Sequence, residues 1–201
     1  MSKVNVIIVG VDEWEKHTRP CIESICLQEP DVDITVVDAG SKEPYPSGDD
    51  YKLIRMDESK SYAQAINAGL RYNQESGRYD WYLITNNDTI YHKPFAGRIR
   101  GFDPNNISGF HIFRLKNRPY VSSFSFIIPD LVFSQVGFFD ERFVPMGYED
   151  ADYCWRAIES GYGLYAMHRN EFGVEHLYNP NKEPFYKEPY KKLMEKYGYD
   201  L

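Results

Sequence analysis

The sequence predicts an α/β protein built on an open, mostly parallel central sheet flanked by helices. Short β-branched apolar runs, VNVIIVGV at 4–11 and VDITVV at 32–37, alternate with segments of helical period. That alternation implies parallel strands joined by right-handed crossovers. The apolar runs also end abruptly in acids or amides: Asp12, Asp38, and Asn86-Asn87-Asp88. Ligands of open α/β sheets bind at such strand ends, so polar residues there converge whatever their separation in sequence.

The elements follow in order. The run at 4–11 reads as a buried strand. Segment 14–27 reads as a helix, with Thr18, Ile22, Ile25 and Cys26 at helical spacing and Pro20 in its first turn. The second strand, 32–37, runs into the turn Asp38-Ala39-Gly40-Ser41. Pro44, Pro46 and Gly48 mark 42–50 as an exposed loop. A short third strand is expected at 52–56. A helix over 61–73 carries Ala63, Ile66, Ala68 and Leu70, with Ser59 or Ser61 as its N-cap. The fourth strand is 81–85.

Beyond Asp88 the pattern becomes antiparallel or mixed. Strands are expected at 107–115 and 121–128, a short helix at 130–136, and a helix at 149–160. Gly161 stands at that helix's C′ position. A last strand at 163–167 precedes a tail interrupted by Pro180, Pro184 and Pro189, which ends in a short basic helix.

Composition narrows the class. With 201 residues, 42% hydrophobic and 26% charged, the chain can form one well-cored domain. A net charge of −7 argues against broad binding to nucleic acid or anionic membrane. Seventeen Tyr, 12 Phe and 3 Trp supply core and stacking surfaces. Cys21, Cys26 and Cys154 are odd in number and lack a Cys-x-x-Cys spacing, so they read as free thiols in a reducing compartment. No signal peptide is visible, and no apolar run approaches the roughly 18 residues of a membrane span. A cytoplasmic protein, or a peripheral one held by a partner, is expected.

Three constellations can carry chemistry. The tip Asn86-Asn87-Asp88 places a carboxylate at the end of a rigid strand, where it suits a divalent cation and, through it, a phosphate. A strand-terminal Asp taken singly, such as Asp38, is more often a turn former. Glu149-Asp150-Ala151-Asp152 sets three carboxylates at a helix start. They complement the helix dipole, but three exceed what capping requires, and packed like charges raise one another's pKa toward that of a general base. Arg156 can neutralise Asp152 at i, i+4. His176 is a candidate metal ligand, whereas His17, His92, His111 and His168 lack metal spacing. There is no Gly-x-Gly-x-x-Gly, Walker loop or Gly-x-Ser-x-Gly elbow.

In this order the motifs resemble family 2 glycosyltransferases, inverting enzymes of the Rossmann-like GT-A nucleotide-diphospho-sugar transferase fold. The matching pieces are VNVIIVGV, TRPCIESI, VVDAGS, AQAINAGL, the NND tip and GFFDERFVPMGYEDADYCWR, which together span about 4–178. The resemblance implies one domain over 1–201, with a nucleotide-binding half at about 1–90, an acceptor and catalytic half at about 91–178, and a tail at 179–201. It implies that Val11, Asp12 and Asp38 line the nucleotide pocket and that Asn67 positions the nucleotide sugar. Asn86, Asn87 and Asp88 then replace an Asp-x-Asp motif, with Asp88 as main ligand of Mn²⁺ or Mg²⁺ and His176 completing the metal site. Asp150 would be the catalytic base, with Glu149 beside it. The donor would be a UDP-, GDP- or dTDP-sugar, and the acceptor a glycan, lipid, protein or modified nucleobase.

No Gln-x-x-Arg-Trp motif is present, which disfavours a processive synthase. Two other classes stay open. A nucleotidyltransferase shares the sheet and a metal carboxylate but usually carries a Gly-rich basic loop after its first strand, where this chain has Gly10-Val11-Asp12-Glu13-Trp14. A non-catalytic sugar- or nucleotide-binding protein could be as aromatic, without needing Asp88 and Asp150 together.

Overall fold

A computed structural model describes residues 2–58, 61–77, 79–122, 124–177 and 186–200. The strands are β1 (Val4–Gly10), β2 (Asp33–Asp38), β3 (Lys52–Arg55), β4 (Trp81–Asn86), β5 (Thr89–Tyr91), β6 (Asn106–Gly109), β7 (Ile112–Leu115), β8 (Arg118–Val121), β9 (Ser125–Pro129), β10 (Gly163–Ala166) and β11 (Val174–His176). The helices are α1 (Arg19–Gln28), α2 (Tyr62–Ser76), α3 (Ala96–Ile99), α4 (Asp130–Val136), α5 (Glu149–Glu159), α6 (Arg169–Phe172) and α7 (Lys187–Lys196).

Seven strands form the main sheet in the order β10-β6-β9-β4-β1-β2-β3. The β4-β1-β2-β3 half is parallel, as alternation with helices required. β9 then enters antiparallel between β4 and β6, and β10 closes the edge parallel to β6. β1 is buried on both faces, which explains its apolar run, interrupted only by Asn5, whose Nδ2 donates to the Asp33 carbonyl and Thr35 Oγ1. Its side chains divide by period two. Ile7 and Val9 join α2, α4, α5 and α7 on one face, while Val6 and Ile8 join α1, α3 and β5 on the other.

Several elements depart from expectation. Segment 14–27 is not one helix. Trp14–Thr18 forms a π-helical turn, entered through Asp12 and Glu13 at φ 52° each, and the α-helix starts only at Arg19 with Pro20 in its first turn. Segment 107–115 is two strands broken at Phe110-His111. The run at 121–128 is likewise the end of β8 followed by β9. β7 and β8 form a hairpin closed by Lys116 and Asn117 at φ 48° and 64°. The short elements β5, α3, α6 and β11 lay below the length at which periodicity is readable.

Ser61 caps α2, its Oγ accepting from Gln64 N–H at 3.1 Å. Ser59, Pro180 and Pro184 lie outside the described residues. Gly161 ends α5 at φ 91°. Cys21 and Cys154 are buried free thiols and Cys26 is half-buried. Among the described residues no helix is long and apolar enough to cross a membrane.

Candidate functional site

The C-terminal ends of β1, β2 and β4 open onto two adjoining clefts. The first, of about 420 Å³, is lined by Val9, Gly10, Val11, Lys16, His17 and Ala39, and reaches Asn86, Asn87 and Asp88. The second, of about 430 Å³, runs from Asp88 and Asn86 to Glu149 and Asp150, walled by Phe113, Tyr120, Tyr148 and Tyr186. Tyr62, Asn86, Asp88 and Met146 line both, so the NND tip stands at the junction.

The loops that build the first cleft are locked together. Asn87 Nδ2 donates to Thr18 Oγ1 at 2.9 Å, Thr18 Oγ1 donates to Tyr45 Oη at 3.1 Å, and Tyr45 Oη donates to the Asp12 carbonyl at 2.6 Å. Gly10 sits under this lattice. A Cβ there would stand 2.7 Å from Asn87 Nδ2 and 2.8 Å from Tyr45 Oη. Tyr62 N–H donates to the Pro145 carbonyl at 2.9 Å, so the start of α2 carries the 145–147 segment across the clefts.

Asp88 and His176 are 88 residues apart, yet His176 Nε2 lies 3.2 Å from Asp88 Oδ1. The cause is local. β11 pairs antiparallel with β5 so that His176 faces Thr89, and Leu177 N–H donates to the Asp88 carbonyl at 2.8 Å. The His176 ring is stacked on Phe124, centroids 4.4 Å apart and planes 8° apart. The sequence reading placed His176 after the last strand; it is instead part of the short ribbon that carries Asp88.

The donor set fits a divalent cation. Neighbouring ligands in an octahedral shell at about 2.1 Å stand roughly 3 Å apart, which the Asp88–His176 spacing matches. Among the described residues no third carboxylate, imidazole or thiolate joins them.

Glu149, Asp150 and Asp152 have separate environments. Asp150 is half-buried on the wall of the second cleft. Glu149 is 3% exposed and accepts from Gly147 N–H. Burial first, and the Asp150 charge second, push the Glu149 carboxyl well above the usual range. Asp152 is fully buried and bridged to Arg156 Nε at 3.0 Å, the i, i+4 pair expected from sequence, and to Lys196 Nζ at 2.6 Å. Gly147, at φ 106°, allows Tyr186 to cover it; a Cβ would stand 2.4 Å from that ring. Near this group, Tyr62 Oη donates to Asn86 Oδ1 at 2.6 Å. Burial, then Glu149, Asp88 and Asp150, raise the Tyr62 hydroxyl's pKa.

A raised folded-state pKa gives Glu149 a definite pH signature. Its stabilisation is full below the unfolded carboxyl value of 4.5 and is lost as pH rises through the folded value. Urea unfolding of Glu149→Gln, which keeps an acceptor for Gly147 N–H, is expected to show a stability gain over wild type that grows from pH 5 to pH 8. A pH-independent difference would contradict the assignment.

Three residues expected at the nucleotide are placed elsewhere. Asp38 is fully buried, with both carboxylate oxygens occupied. Ser41 N–H and Tyr45 N–H each donate at 2.9 Å, and Arg55 Nη1 completes the set. Burial alone would raise its pKa, but the Ser41, Tyr45 and Arg55 hydrogen bonds outweigh it and hold the carboxyl low. It organises the β2 turn, and the next residue, Ala39, lines the cleft instead. Asp12 is likewise off the cleft wall: its Oδ1 accepts from Lys42 N–H at 2.9 Å, and its N–H donates to Ser41 Oγ at 2.7 Å.

Asn67 is fully buried on α2. Its Oδ1 accepts from Phe139 N–H, and its Nδ2 donates to the Phe139 carbonyl and Glu141 Oε1, all at 2.9 Å. It clamps the segment before α5 onto α2 rather than reaching a cleft. Asn67→Ala leaves those buried backbone groups unpaired and is expected to cost about 1–3 kcal/mol in urea unfolding. Val11, Asn86 and Asn87 do line the clefts. Tyr62, His17, His111 and Arg169 were not singled out as cleft residues from sequence, and only the order of strand ends could have pointed to them.

By sequence, no protein family and no curated protein matches the chain. Solved structures do. GalNAc-T7 with UDP, GalNAc and Mn²⁺ superposes with a TM-score of 0.75 at 13% identity, over 97% of this chain and 48% of that one. The mannosyltransferase PcManGT from Pyrobaculum calidifontis, with GDP-Man and Mn²⁺, gives 0.64 at 16%, over 83% and 55%. S. aureus TarS 1-349 with UDP gives 0.61 at 15%, over 85% and 62%. The chain thus spans about half the length of the first two. At such identities the likeness establishes the fold, which is the GT-A α/β fold.

Proposed function

We propose that this chain is an inverting, metal-dependent glycosyltransferase that moves a sugar from a nucleotide-diphosphate sugar to an acceptor hydroxyl. One observation carries the reading: the Asp88–His176 pair stands where two clefts meet, and Asp150 lines the second of them. Structural neighbours that hold UDP with GalNAc and Mn²⁺, GDP-Man with Mn²⁺, and UDP support a nucleotide-sugar site.

In this reading the nucleotide occupies the first cleft against Val11, Asn86 and Asn87. Its diphosphate lies at Asp88, and the sugar enters the second cleft. Asp88 and His176 would hold the cation, Mn²⁺ or Mg²⁺. The imidazole is the softer donor and favours Mn²⁺. When bound, the cation neutralises charge on the departing diphosphate.

Asp150 takes the proton from the acceptor hydroxyl as that oxygen bonds to the anomeric carbon. The carbon–oxygen bond to the diphosphate breaks, and the diphosphate leaves with the electron pair. Attack from the face opposite the leaving group inverts the centre. Tyr62 fixes Asn86 at the junction, so the two reacting groups meet in a set geometry.

The test is a thermal-shift panel of UDP-, GDP- and dTDP-sugars with and without Mn²⁺. A nucleotide at about a hundred times its Kd stabilises by about 2.7 kcal/mol, or roughly 5–10 °C for a chain of this size. Such a shift is expected for one base and only with Mn²⁺, because the cation that Asp88 and His176 would hold links the diphosphate to the protein. A flat response across the panel would overturn the reading.

A further inference from the structure

The second cleft contains more than the proposed reaction uses. Among its described lining residues Arg169 is the one permanently charged cation, against three carboxylates, Asp88, Glu149 and Asp150. Its guanidinium makes no hydrogen bond or ion pair among the described residues, and the nearby acid on α6, Glu171, faces Arg98 instead at 4.0 Å. It lies over the Phe124 ring, 5.0 Å from the centroid, and that same ring is stacked on His176. An aromatic seat of this kind orients a guanidinium while leaving its N–H edge unspent.

His111 lines the cleft nearby. Partial burial first, and the Arg169 charge second, lower its pKa, so it meets the cleft as a neutral imidazole. A ring wall continues from it, His111 to Phe113 at 5.9 Å and Phe113 to Tyr120 at 5.6 Å. The transfer as derived assigns no task to Arg169 or to this wall.

We infer that Arg169, with His111 beside it, binds an anionic substituent, a carboxylate or phosphate, carried by the sugar or by the acceptor in the second cleft. The identity of that occupant rests on the proposed glycosyl transfer. The planar fork of a guanidinium matches a carboxylate or phosphate in two parallel bonds. The Asp88 and Asp150 carboxylates would repel an acidic ligand, and the Arg169 guanidinium, which has no hydrogen-bond or ion-pair partner among the described residues, offsets that repulsion. A site for wholly neutral sugars gains nothing from such a cation and keeps its cost in discrimination. The aromatic wall suits the apolar faces of a ring that bears the acid.

Ligand-detected NMR titration with glucose, glucuronate and glucose 6-phosphate tests this without requiring turnover. Wild type is expected to bind at least one of the acidic sugars about tenfold or more tighter than glucose, the scale of a charge-assisted bidentate bond. Arg169→Gln removes that preference and Arg169→Lys keeps part of it. Equal affinities for all three probes, or a preference that survives Arg169→Gln, would overturn the inference.

Two further arms locate the acid. Tighter binding of UDP-glucuronate than UDP-glucose with Mn²⁺ places it on the donor; acidic sugars binding alongside saturating UDP and Mn²⁺ place it on the acceptor. If Arg169→Gln weakens UDP–Mn²⁺ itself, Arg169 serves the diphosphate and the inference fails. If no nucleotide binds while the acidic preference holds, the transferase reading fails and the anion site stands.

Discussion

Asp150→Asn is expected to lower turnover about a thousandfold, within the range that a positioned general base contributes, while nucleotide and Mn²⁺ binding stay unchanged. The geometry separates these effects. Asp150 lines the second cleft alone, whereas Asp88 is shared by both clefts and would hold the cation in the proposed reading. Asp88→Asn is therefore expected to lose metal-dependent nucleotide binding and turnover together. The contrast also distinguishes an enzyme from a binding module. A module would bind nucleotide and show no activity for Asp150→Asn to remove, and an Asp150→Asn variant with full turnover would refute the base assignment.

Glu149 is the control for that experiment. It precedes Asp150 at the start of α5, is 3% exposed and accepts from Gly147 N–H. Its role is to hold the Gly147 turn and to raise the cost of a second charge beside Asp150. Glu149→Gln should leave most turnover and shift the pH profile, because it removes a neighbouring carboxyl without removing the proton acceptor.

The parallel half of the sheet was legible because its central strands β1 and β2, buried along almost their whole length, carry β-branched runs bounded by polar turns. The hairpin of β7 and β8 was not. Its turn is Lys116-Asn117, and a Lys in the left-handed region leaves no compositional mark, while Pro119 in β8 reads against a strand. The site divides in the same way. Strand ends located the NND tip and Val11, but position along a strand does not say which way a side chain turns. Asp38 stands at the right strand end and faces Ser41, Tyr45 and Arg55. Asn67 lies on α2 near cleft-lining Tyr62 and Ala65 but on the face that clamps Phe139. The Asp88–His176 contact was expected only through the family resemblance, because the three-residue strands that create it are too short to show a period.

Asp152→Ala is expected to destabilise the fold by about 3–5 kcal/mol, the cost of breaking a buried ion pair. Asp152 is fully buried, and its carboxylate is where α5 meets α7. Oδ2 accepts from Arg156 Nε; Oδ1 accepts from Lys196 Nζ and, at 3.0 Å, from Tyr197 Oη. Arg156 also donates to the Val136 and Phe138 carbonyls, so the same group anchors the end of α4. Lys196 keeps a second partner in Asp140, at 2.8 Å, which offsets part of its loss; Arg156 has no second carboxylate among the described residues. Removing the acid leaves Arg156 24% exposed and unneutralised, beside Tyr197, which packs edge-on against buried Trp155 at 4.8 Å. Asp152→Asn keeps the shape and one acceptor and should cost less. If Asp152 only complemented the α5 dipole, Asp152→Ala would cost no more than about 1 kcal/mol. Urea unfolding followed by tryptophan fluorescence and far-ultraviolet dichroism decides between them, and coincident midpoints shifted by the larger amount show that this carboxylate, beside buried Leu193 and Met194, binds α7 into the cooperative core.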